Sequence, residues 1–474
     1  MGVSAEQYQQ SLDYLFGRLN YERMGSSKYS TKDFKLERMQ ELLRILGNPQ
    51  SEVPAIHVAG TKGKGSTSVM IADMLSAAGY QTGLFTSPHV TKYEERILID
   101  GHQIQPEQLI DIVSEIAAQV KYDQDTSSPT FFELTTALAW MHFNQQQVNF
   151  AVMEVGLGGR LDSTNVCEPL VCVITNISYD HMALLGNTIA KITREKAGII
   201  KPGVPVFSGV TQPEAIEVLE EVCAEKQVPL YLLNRDYFWE LRCETENQLH
   251  VPGLRKTQEQ IPTQKIQVKT PWSVIDEMPV NLLGTHQAAN AALAVTILDY
   301  LRHQETPIEL QQMRAGMASV KWPARIEVVQ KSPPVIVDTA HNDASIQALI
   351  KTLEESFGYQ NRLLIFAASR DKDIKEMLIT LLPHFQTVIL TQYLSNPRRV
   401  LVDELLELMQ SIQCETKNTA EMIVTTSPDD AWLRAKACST PDTLTCVTGS
   451  FFIAAEMREL LLGTTDEILV SESC

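Results

Sequence analysis

Positive charge is in short supply. Lysine and arginine total 40 against 58 aspartates and glutamates, which leaves a formal charge of −18 over 474 residues. A general nucleic-acid binder needs a basic face, so that class is excluded, although a local cluster can reverse the field in one cleft for an anionic ligand. The cysteines (Cys167, Cys172, Cys223, Cys243, Cys414, Cys438, Cys446 and Cys474) form no CxxC pair. That argues against a zinc site or disulfide framework and suits reduced thiols in a cytoplasm. No apolar run reaches membrane-spanning length, and the N-terminus shows no charged-then-apolar signal segment. Met1-Gly2 fails as a myristoylation start because Glu6 holds the required Ser/Thr position. Internal repeats and low-complexity segments are absent too. The expectation is a cytoplasmic protein with no membrane and no nucleic-acid partner.

What the chain does have is a globular composition, 44% hydrophobic and 21% charged. Its length exceeds one ordinary core, so two domains are expected. It is organised around residues 54–79. Pro54–Ala59 is a short apolar run of the kind buried in a parallel sheet. The turn Gly60-Thr61-Lys62-Gly63-Lys64-Gly65-Ser66 follows. Val69, Met70, Asp73, Met74 and Ala77 then recur at helical spacing up to a stop at Gly79. Strand, glycine turn and helix make a phosphate cradle: backbone N–H groups and the helix N-terminus face the anion, and Lys64 adds a full charge. The spelling departs from GxxxxGK[ST] because Gly65 stands between Lys64 and Ser66. A glycine-rich turn is often only a turn, but these flanks favour a nucleotide site.

Along the chain, residues 5–47 read as helices, with Ser30/Thr31 as a cap before Phe34–Leu46 and Gly47 as the stop. Beyond the glycine turn, strands are expected at Thr82–Thr86, Val148–Val155, Leu170–Thr175 and Val204–Ser208. Helices are expected at Pro106–Val120, Phe131–Phe143, Asn187–Ala197 and 213–226. This alternation implies a mostly parallel, doubly wound sheet. Residues 233–280 are polar and proline-interrupted (Pro252, Pro262, Pro271, Pro279) and read as an irregular or antiparallel sub-layer. Helices at Gly284–Arg302 and Pro307–Ala318 lead to a boundary near Lys321-Trp322-Pro323. A second alternation then begins, with strands at Ile326–Val329, Val335–Val337, Leu363–Phe366, Thr387–Leu390 and Leu444–Val447.

Several side chains at strand and helix ends can do chemistry. Glu154 closes an apolar strand and opens a glycine-rich loop to Asp162; a carboxylate there can hold magnesium or stand as a solvated loop acid, and the placement favours the metal. Asp180-His181 follows the next strand on the same sheet edge, where the histidine is structural or a base, since imidazole is not magnesium's favoured ligand. Lys196, near a helix C-terminus, reads as a solvated charge on the dipole. Asn290 suits the edge of a base or, more plainly, helix packing. Arg325, Asp338 and His341 lie at short strand ends of the second alternation. An arginine there can neutralise a transferring phosphoryl group or form a surface salt bridge.

Taken together these motifs resemble the folylpolyglutamate synthase/dihydrofolate synthase family of the Mur ligase superfamily. The segments run in family order: HVAGTKGKGST at 57–67, TSPHV at 86–90, ERI at 95–97, TFFE at 130–133, EVGLGGRLDSTN at 154–165 and ITNISYDH at 174–181. EKAGIIK at 195–201, HQAANAALA at 286–294, PARIE at 323–327, DTAHN at 338–342, DKD at 371–373 and GSFF at 449–452 complete them.

The resemblance implies an α/β protein. A P-loop-type, doubly wound, mostly parallel ATPase domain would span 1–320, and a smaller Rossmann-like ligase domain 321–474. It implies an ATP-dependent ligase that adds L-glutamate to a folate carboxylate, and in part of the family to dihydropteroate, through an acyl phosphate. Gly60, Thr61, Gly63, Lys64, Gly65 and Ser66 match the ATP phosphate loop. Asn290, Arg325 and Asp338 match other ATP-contacting positions, the last two from the C-terminal domain, so domain closure is implied. Ser87, Glu154 and His181 match positions that hold magnesium directly or through water. Lys196 matches a lysine carbamylated in the family to support a second magnesium. His341 matches the histidine near the acyl phosphate. Thr130, Phe132, Glu133, Leu161 and Asp162 fall in segments lining the pterin-side pocket. Lys64, Lys196, Arg325 and His341 are thus the implied catalytic set, and the enzyme is expected to act as a monomer.

Three departures stand out. Lys62 replaces the usual asparagine of GTNGKG, which adds charge beside the phosphates. Ala324 replaces the glycine of the usual PGR. Ala367-Ala368-Ser369-Arg370 lacks the glycine usual before DKD. A peptidoglycan-type Mur ligase is the nearest rival, but about fifty residues before the loop leave no room for its nucleotide-sugar domain. A P-loop regulatory ATPase would explain the cradle and not Arg325, Asp338 and His341.

Overall fold

Short, mostly apolar runs such as Ala55–Ala59 and Phe150–Glu154 are buried along their whole length, the signature of strands covered on both faces by helices. The computed structural model describes residues 4–22, 33–120, 128–242 and 264–471. The chain divides into two compact units. One holds Met1–Arg242, Lys265–Asn281 and Gln287–Val320, and the other chiefly Leu282–His286 and Lys321–Cys474.

The first unit is built on eight strands: β1 (Ala55–Ala59), β2 (Thr82–Phe85), β3 (Ile97–Ile99), β4 (His102–Gln103), β5 (Phe150–Glu154), β6 (Pro169–Ile174), β7 (Val206–Ser208) and β8 (Leu230–Leu232). Their order is β4-β3-β2-β5-β1-β6-β7-β8. Pairing is parallel from β2 to β8, and β3 and β4 add an antiparallel edge. The chain winds away from β1 on both sides, so the C-terminal ends of β5, β1 and β6 form the switch-point crevice where α/β folds bind ligands. Register brings those ends together, with Val58 opposite Glu154 and Ala59 opposite Ile174.

The helix Lys64–Ala77 leaves β1 and is buried on most sides. Pro106–Gln119 instead buries one stripe, Leu109, Ile112, Val113 and Ile116, as its spacing predicts. The polar segment yields β9 (Phe238–Arg242), β10 (Gln264–Lys269) and β11 (Val274–Val280), a separate small sheet in which β9 and β10 pair antiparallel. Pro252 and Pro262 lie outside the described residues, as does the expected cap at Ser30/Thr31. The helix expected after that cap is Leu36–Ile45.

The second unit carries β12 (Glu327–Lys331), β13 (Pro334–Val337), β14 (Asn361–Phe366), β15 (Thr387–Leu390), β16 (Glu421–Val424) and β17 (Thr443–Thr448), in the order β12-β13-β17-β14-β15-β16. All pairings are parallel except β12 with β13. Ile336, Leu364, Phe366, Val388 and Leu390 are central to its core. Strand β12 opens at Glu327, not at Ile326, because Ile326 sits in the left-handed region at φ +49°. Strands β3, β4, β8 and β16 went unforeseen: they are short, and β4 and β16 lie at sheet edges with exposed residues, so their side chains carry little apolar pattern. Among the described residues no helix is long and apolar enough to cross a membrane, and the six described cysteines are free.

Candidate active site

The glycine turn joins β1 to its helix at the crevice. Gly63 caps the helix at φ +79°, and a Cβ on it would lie 2.5 Å from Asn290 Oδ1. Only glycine fits, and Asn290 therefore packs directly on the loop. Its amide donates to Gln287 Oε1 at 3.1 Å. Lys64, Gly65 and Ser66 form the first helical turn, where backbone N–H groups have no intrahelical partner and the dipole favours an anion. The preceding residues are stitched to the chain leaving β6. Thr61 N–H donates to the Asn176 carbonyl and Lys62 N–H to Asn176 Oδ1, both at 2.8 Å. Thr175 Oγ1 donates to the Lys62 carbonyl at 2.7 Å, and Thr61 Oγ1 accepts from Ser178 N–H at 3.1 Å.

Lys196 is not the solvated charge its position suggests. It is 4% exposed, and its Nζ donates to the Gly60 carbonyl at 2.8 Å. Burial pulls its pKa down to about 7, and the nearby Lys64 charge pushes the same way; Asp180 and Asp162 oppose them. Lys62 is not simply added charge for a phosphate either: its ammonium pairs with Asp180 Oδ2 at 3.0 Å.

Glu154 is 5% exposed at the end of β5 and accepts the Ser87 backbone N–H at 3.2 Å. His181 is exposed, in the left-handed region at φ +47°, with Nε2 3.7 Å from Asp180 Oδ1. Among the described residues no three His, Cys, Asp or Glu side chains form a metal-holding group. The Glu154 carboxylate beside Ser87 nevertheless suits a hard cation in chemistry, oxygen donors at a buried strand end. A lysine ammonium cannot ligate a cation, so Lys196 would join such a site only after losing its proton, as an amine or as a carbamate.

On the pterin-side segments, Thr130 caps the helix Phe131–Gln145. Its N–H donates to Glu133 Oε2 at 2.7 Å, and Glu133 N–H returns to Thr130 Oγ1 at 3.3 Å, a capping box. Glu133 also pairs with Arg38 at 2.7 Å. Phe132 lies against the loop after β5, where a Cβ on Gly156 would come within 2.4 Å of the Phe132 ring, and it packs on Phe85 with centroids 5.9 Å apart. Leu161 lines a gap of about 20 Å³ with Phe34, Leu157 and Leu184, room for little more than one water. Asp162 is buried and accepts from Leu157 N–H at 2.8 Å and Thr164 Oγ1 at 2.5 Å. Burial raises its pKa, while those hydrogen bonds restrain it. Thr164 in turn accepts from His57 Nε2 at 2.9 Å in the middle of β1.

In the second unit, Asp338 accepts from Ile326 N–H at 2.9 Å and Ala340 N–H at 2.8 Å. Burial raises its pKa and the Arg325 charge opposes the rise. The acid therefore ties the Arg325 turn to the end of β13. His341 Nδ1 donates to the Thr339 carbonyl at 2.8 Å, which fixes the ring's orientation.

The structure thus gathers Gly60 to Ser66, Lys196 and Asn290 around one loop, and puts Glu154 with Ser87. It sets Arg325 beside Asp338. Asn176, Ser178 and Thr175, which hold the loop, were missed as site residues; the signal was their place just after β6, the strand beside β1.

A parallel sheet whose first strand feeds a phosphate loop, followed by a second α/β unit, is the architecture of the Mur ligases. The Mur ligase middle domain matches residues 58–298, and the Mur ligase glutamate ligase domain matches residues 324–451. Dihydrofolate synthase/folylpolyglutamate synthase of Bacillus subtilis is 34% identical over 458 residues, covering 96% of this chain and 99% of that protein. Folylpolyglutamate synthase of Lacticaseibacillus casei is 36% identical over 433 residues, 90% of this chain and 94% of that one. The structure of Mycobacterium tuberculosis folylpolyglutamate synthase complexed with ADP superposes with a TM-score of 0.82 at 30% identity, covering 96% of this chain and 98% of that one. The chain belongs to the folylpolyglutamate synthase/dihydrofolate synthase family of Mur ligases and is a ligase.

Proposed function

We propose that the protein is an ATP-dependent ligase that joins L-glutamate to the carboxylate of a reduced folate, with dihydropteroate as a second acceptor. The observation that carries the reading is the phosphate loop with the buried Lys196 held against Gly60. The Bacillus subtilis relative, named for both activities, supports the second acceptor.

A carboxylate does not condense with an amine at neutral pH, because oxide would have to leave. In the proposed reaction a carboxylate oxygen attacks the γ-phosphorus of ATP, and the bond to ADP breaks. The glutamate nitrogen then attacks the acyl phosphate carbon, loses its proton, and inorganic phosphate departs. Negative charge grows on the γ-phosphoryl oxygens in the first step, and preorganised cations there supply the largest catalytic effect. Lys64 and the helix N-terminus bind the phosphates, Asn290 contacts the nucleotide, and Arg325, fixed by Asp338, neutralises the phosphoryl group. His341 steadies the acyl phosphate. Ser87, Glu154, His181 and a carbamylated Lys196 would hold two magnesium ions, which supply Lewis-acid stabilisation of the phosphates. Phe132, Leu161 and Asp162 line the pterin side. Thr130 and Glu133 act there by starting the helix that presents Phe132, since their polar atoms serve the cap. The residues 1–320 form the ATP-binding domain and 321–474 the ligase domain of a cytoplasmic monomer.

The test is an incubation with ATP, magnesium and glutamate plus either a reduced folate or dihydropteroate, with products resolved by mass. Glutamate-dependent ADP release with a product one glutamyl unit heavier is expected from each acceptor. ADP release that ignores glutamate would overturn the reading.

A further inference from the structure

We propose that Lys62 is a positioning residue that fixes the turn bearing His181 through Asp180, an inference that rests on His181 as a magnesium ligand. The phosphate loop carries two lysines, and the structure turns Lys62 toward the β6 tail. Its Nζ meets Asp180 Oδ2 at 3.0 Å. The other oxygen of that carboxylate accepts the His181 N–H at 2.9 Å and stands 3.7 Å from His181 Nε2. One carboxylate therefore links the loop lysine to the histidine.

The turn needs such a tie. His181 is held at φ +47° and precedes the four-residue helix Met182–Leu185 without giving it a side-chain cap. A left-handed, non-glycine residue at the head of so short a helix persists only when its surroundings fix it. The anchor is itself fixed, because the Lys62 and Thr61 backbone amides both bond to Asn176 and Thr61 bonds to Ser178. An ion pair with a third or less of each side chain exposed is commonly of little consequence. This one joins a stitched phosphate loop to the turn of a metal-holding residue, where loss of an outer partner typically weakens metal binding. The asparagine usual at position 62 has no ammonium to reach Asp180, so the link is particular to chains with lysine there.

The experiment titrates the full-length protein with Mn²⁺ by electron paramagnetic resonance and follows ATP kinetics in parallel. Lys62→Met is expected to weaken Mn²⁺ binding by about tenfold and to lower kcat with little change in KM for ATP. Lys62→Arg should restore both. Asp180→Asn should match Lys62→Met, and the double variant should be no worse than either single one. Lys62→Asn repeats the measurement if the methionine variant melts early. Unchanged Mn²⁺ affinity in Lys62→Met and Lys62→Asn, with wild-type ligase activity intact, overturns the proposal alone, as do additive losses in the double variant. A wild type that binds no Mn²⁺ overturns it together with the magnesium reading.

Discussion

The Lys196 Nζ donates to the carbonyl of Gly60 at 2.8 Å, so a buried amine is bonded to the first glycine of the phosphate loop. With its pKa pulled to about 7 by burial and by Lys64, a large share of this amine is neutral at physiological pH, the form that reacts with carbon dioxide. Lys196→Ala is expected to lower kcat by about 10- to 100-fold, the scale set by loss of a metal-supporting group. Small added carboxylates should restore part of it by standing in for the carbamate. A ¹³C carbamate resonance in the wild type, grown from labelled bicarbonate and missing in the variant, checks the chemistry directly. Activity that no carboxylate rescues would leave Lys196 as a loop support only.

Arg325 is the cation whose charge most opposes the burial of Asp338. If it neutralises the transferring phosphoryl group, its contribution belongs to the transition state and not to ATP binding. Arg325→Ala should then lower kcat by about a thousandfold, the lower range for such arginines, with a far smaller change in KM for ATP. An unchanged kcat sinks the assignment, and steady-state kinetics at saturating folate and glutamate are enough to decide.

How much of this was legible beforehand depends on what carries the pattern. The apolar run Pro54–Ala59, the glycine turn and the helix behind it announced β1 and the phosphate loop, because burial and turn chemistry are written locally. Lys196 misled for the opposite reason: a lysine at a helix end looks solvated until tertiary packing covers it with the loop of Gly60. Asp180 gave no hint of its pairing with Lys62, since the two are distant in sequence and meet only because β1 and β6 are neighbours. Thr130 and Glu133 spell a capping box as plainly as a binding motif, and in the structure both take part in the cap while Glu133 also pairs with Arg38. The roles proposed for Arg325 and His341 come from family likeness alone; their local sequence reads equally well as a surface salt bridge.

Ala324 and Ile326 flank Arg325 with φ of +53° and +49°, in a turn where glycine is usual at the first position. The turn is held by Ala324 N–H on Glu327 Oε2 at 2.7 Å, Thr339 N–H on the Ala324 carbonyl at 3.1 Å and Ile326 N–H on Asp338. A left-handed alanine costs roughly 1–2 kcal/mol. Glycine would remove that cost but lose about 0.4–1 kcal/mol through the freer unfolded chain and about 0.8 kcal/mol for the buried methyl. These nearly cancel, so Ala324→Gly should lie within about 1 kcal/mol of wild type in urea unfolding. Ala324→Val, β-branched at positive φ, should lose more than about 2 kcal/mol. Equal stabilities for the valine and alanine forms would contradict the backbone assignment.

His57 lies in the centre of β1 with no exposure. Its Nε2 bonds to Thr164 Oγ1 at 2.9 Å, and among the described residues its buried Nδ1 has no hydrogen-bond partner. Burial first, and the Lys201 charge second, lower its pKa from 6.5 to about 3. The folded protein thus keeps a neutral imidazole where the unfolded chain has already taken up a proton. Between pH 6.5 and 3 the unfolded state binds more protons, so this histidine makes stability fall as the pH falls, by about 1.4 kcal/mol per unit. His57→Val removes that slope, and Thr164 still donates to Asp162 at 2.5 Å. Carboxylates elsewhere titrate in both proteins, so the informative quantity is the difference between wild type and variant, measured by urea unfolding at steps from pH 7.5 to 5. Valine should gain on histidine steadily below pH 6.5 and keep a constant offset above pH 7. Parallel curves over the whole range would mean that the imidazole takes up its proton in the fold at the same pH as in the unfolded chain, so that burial does not hold it neutral.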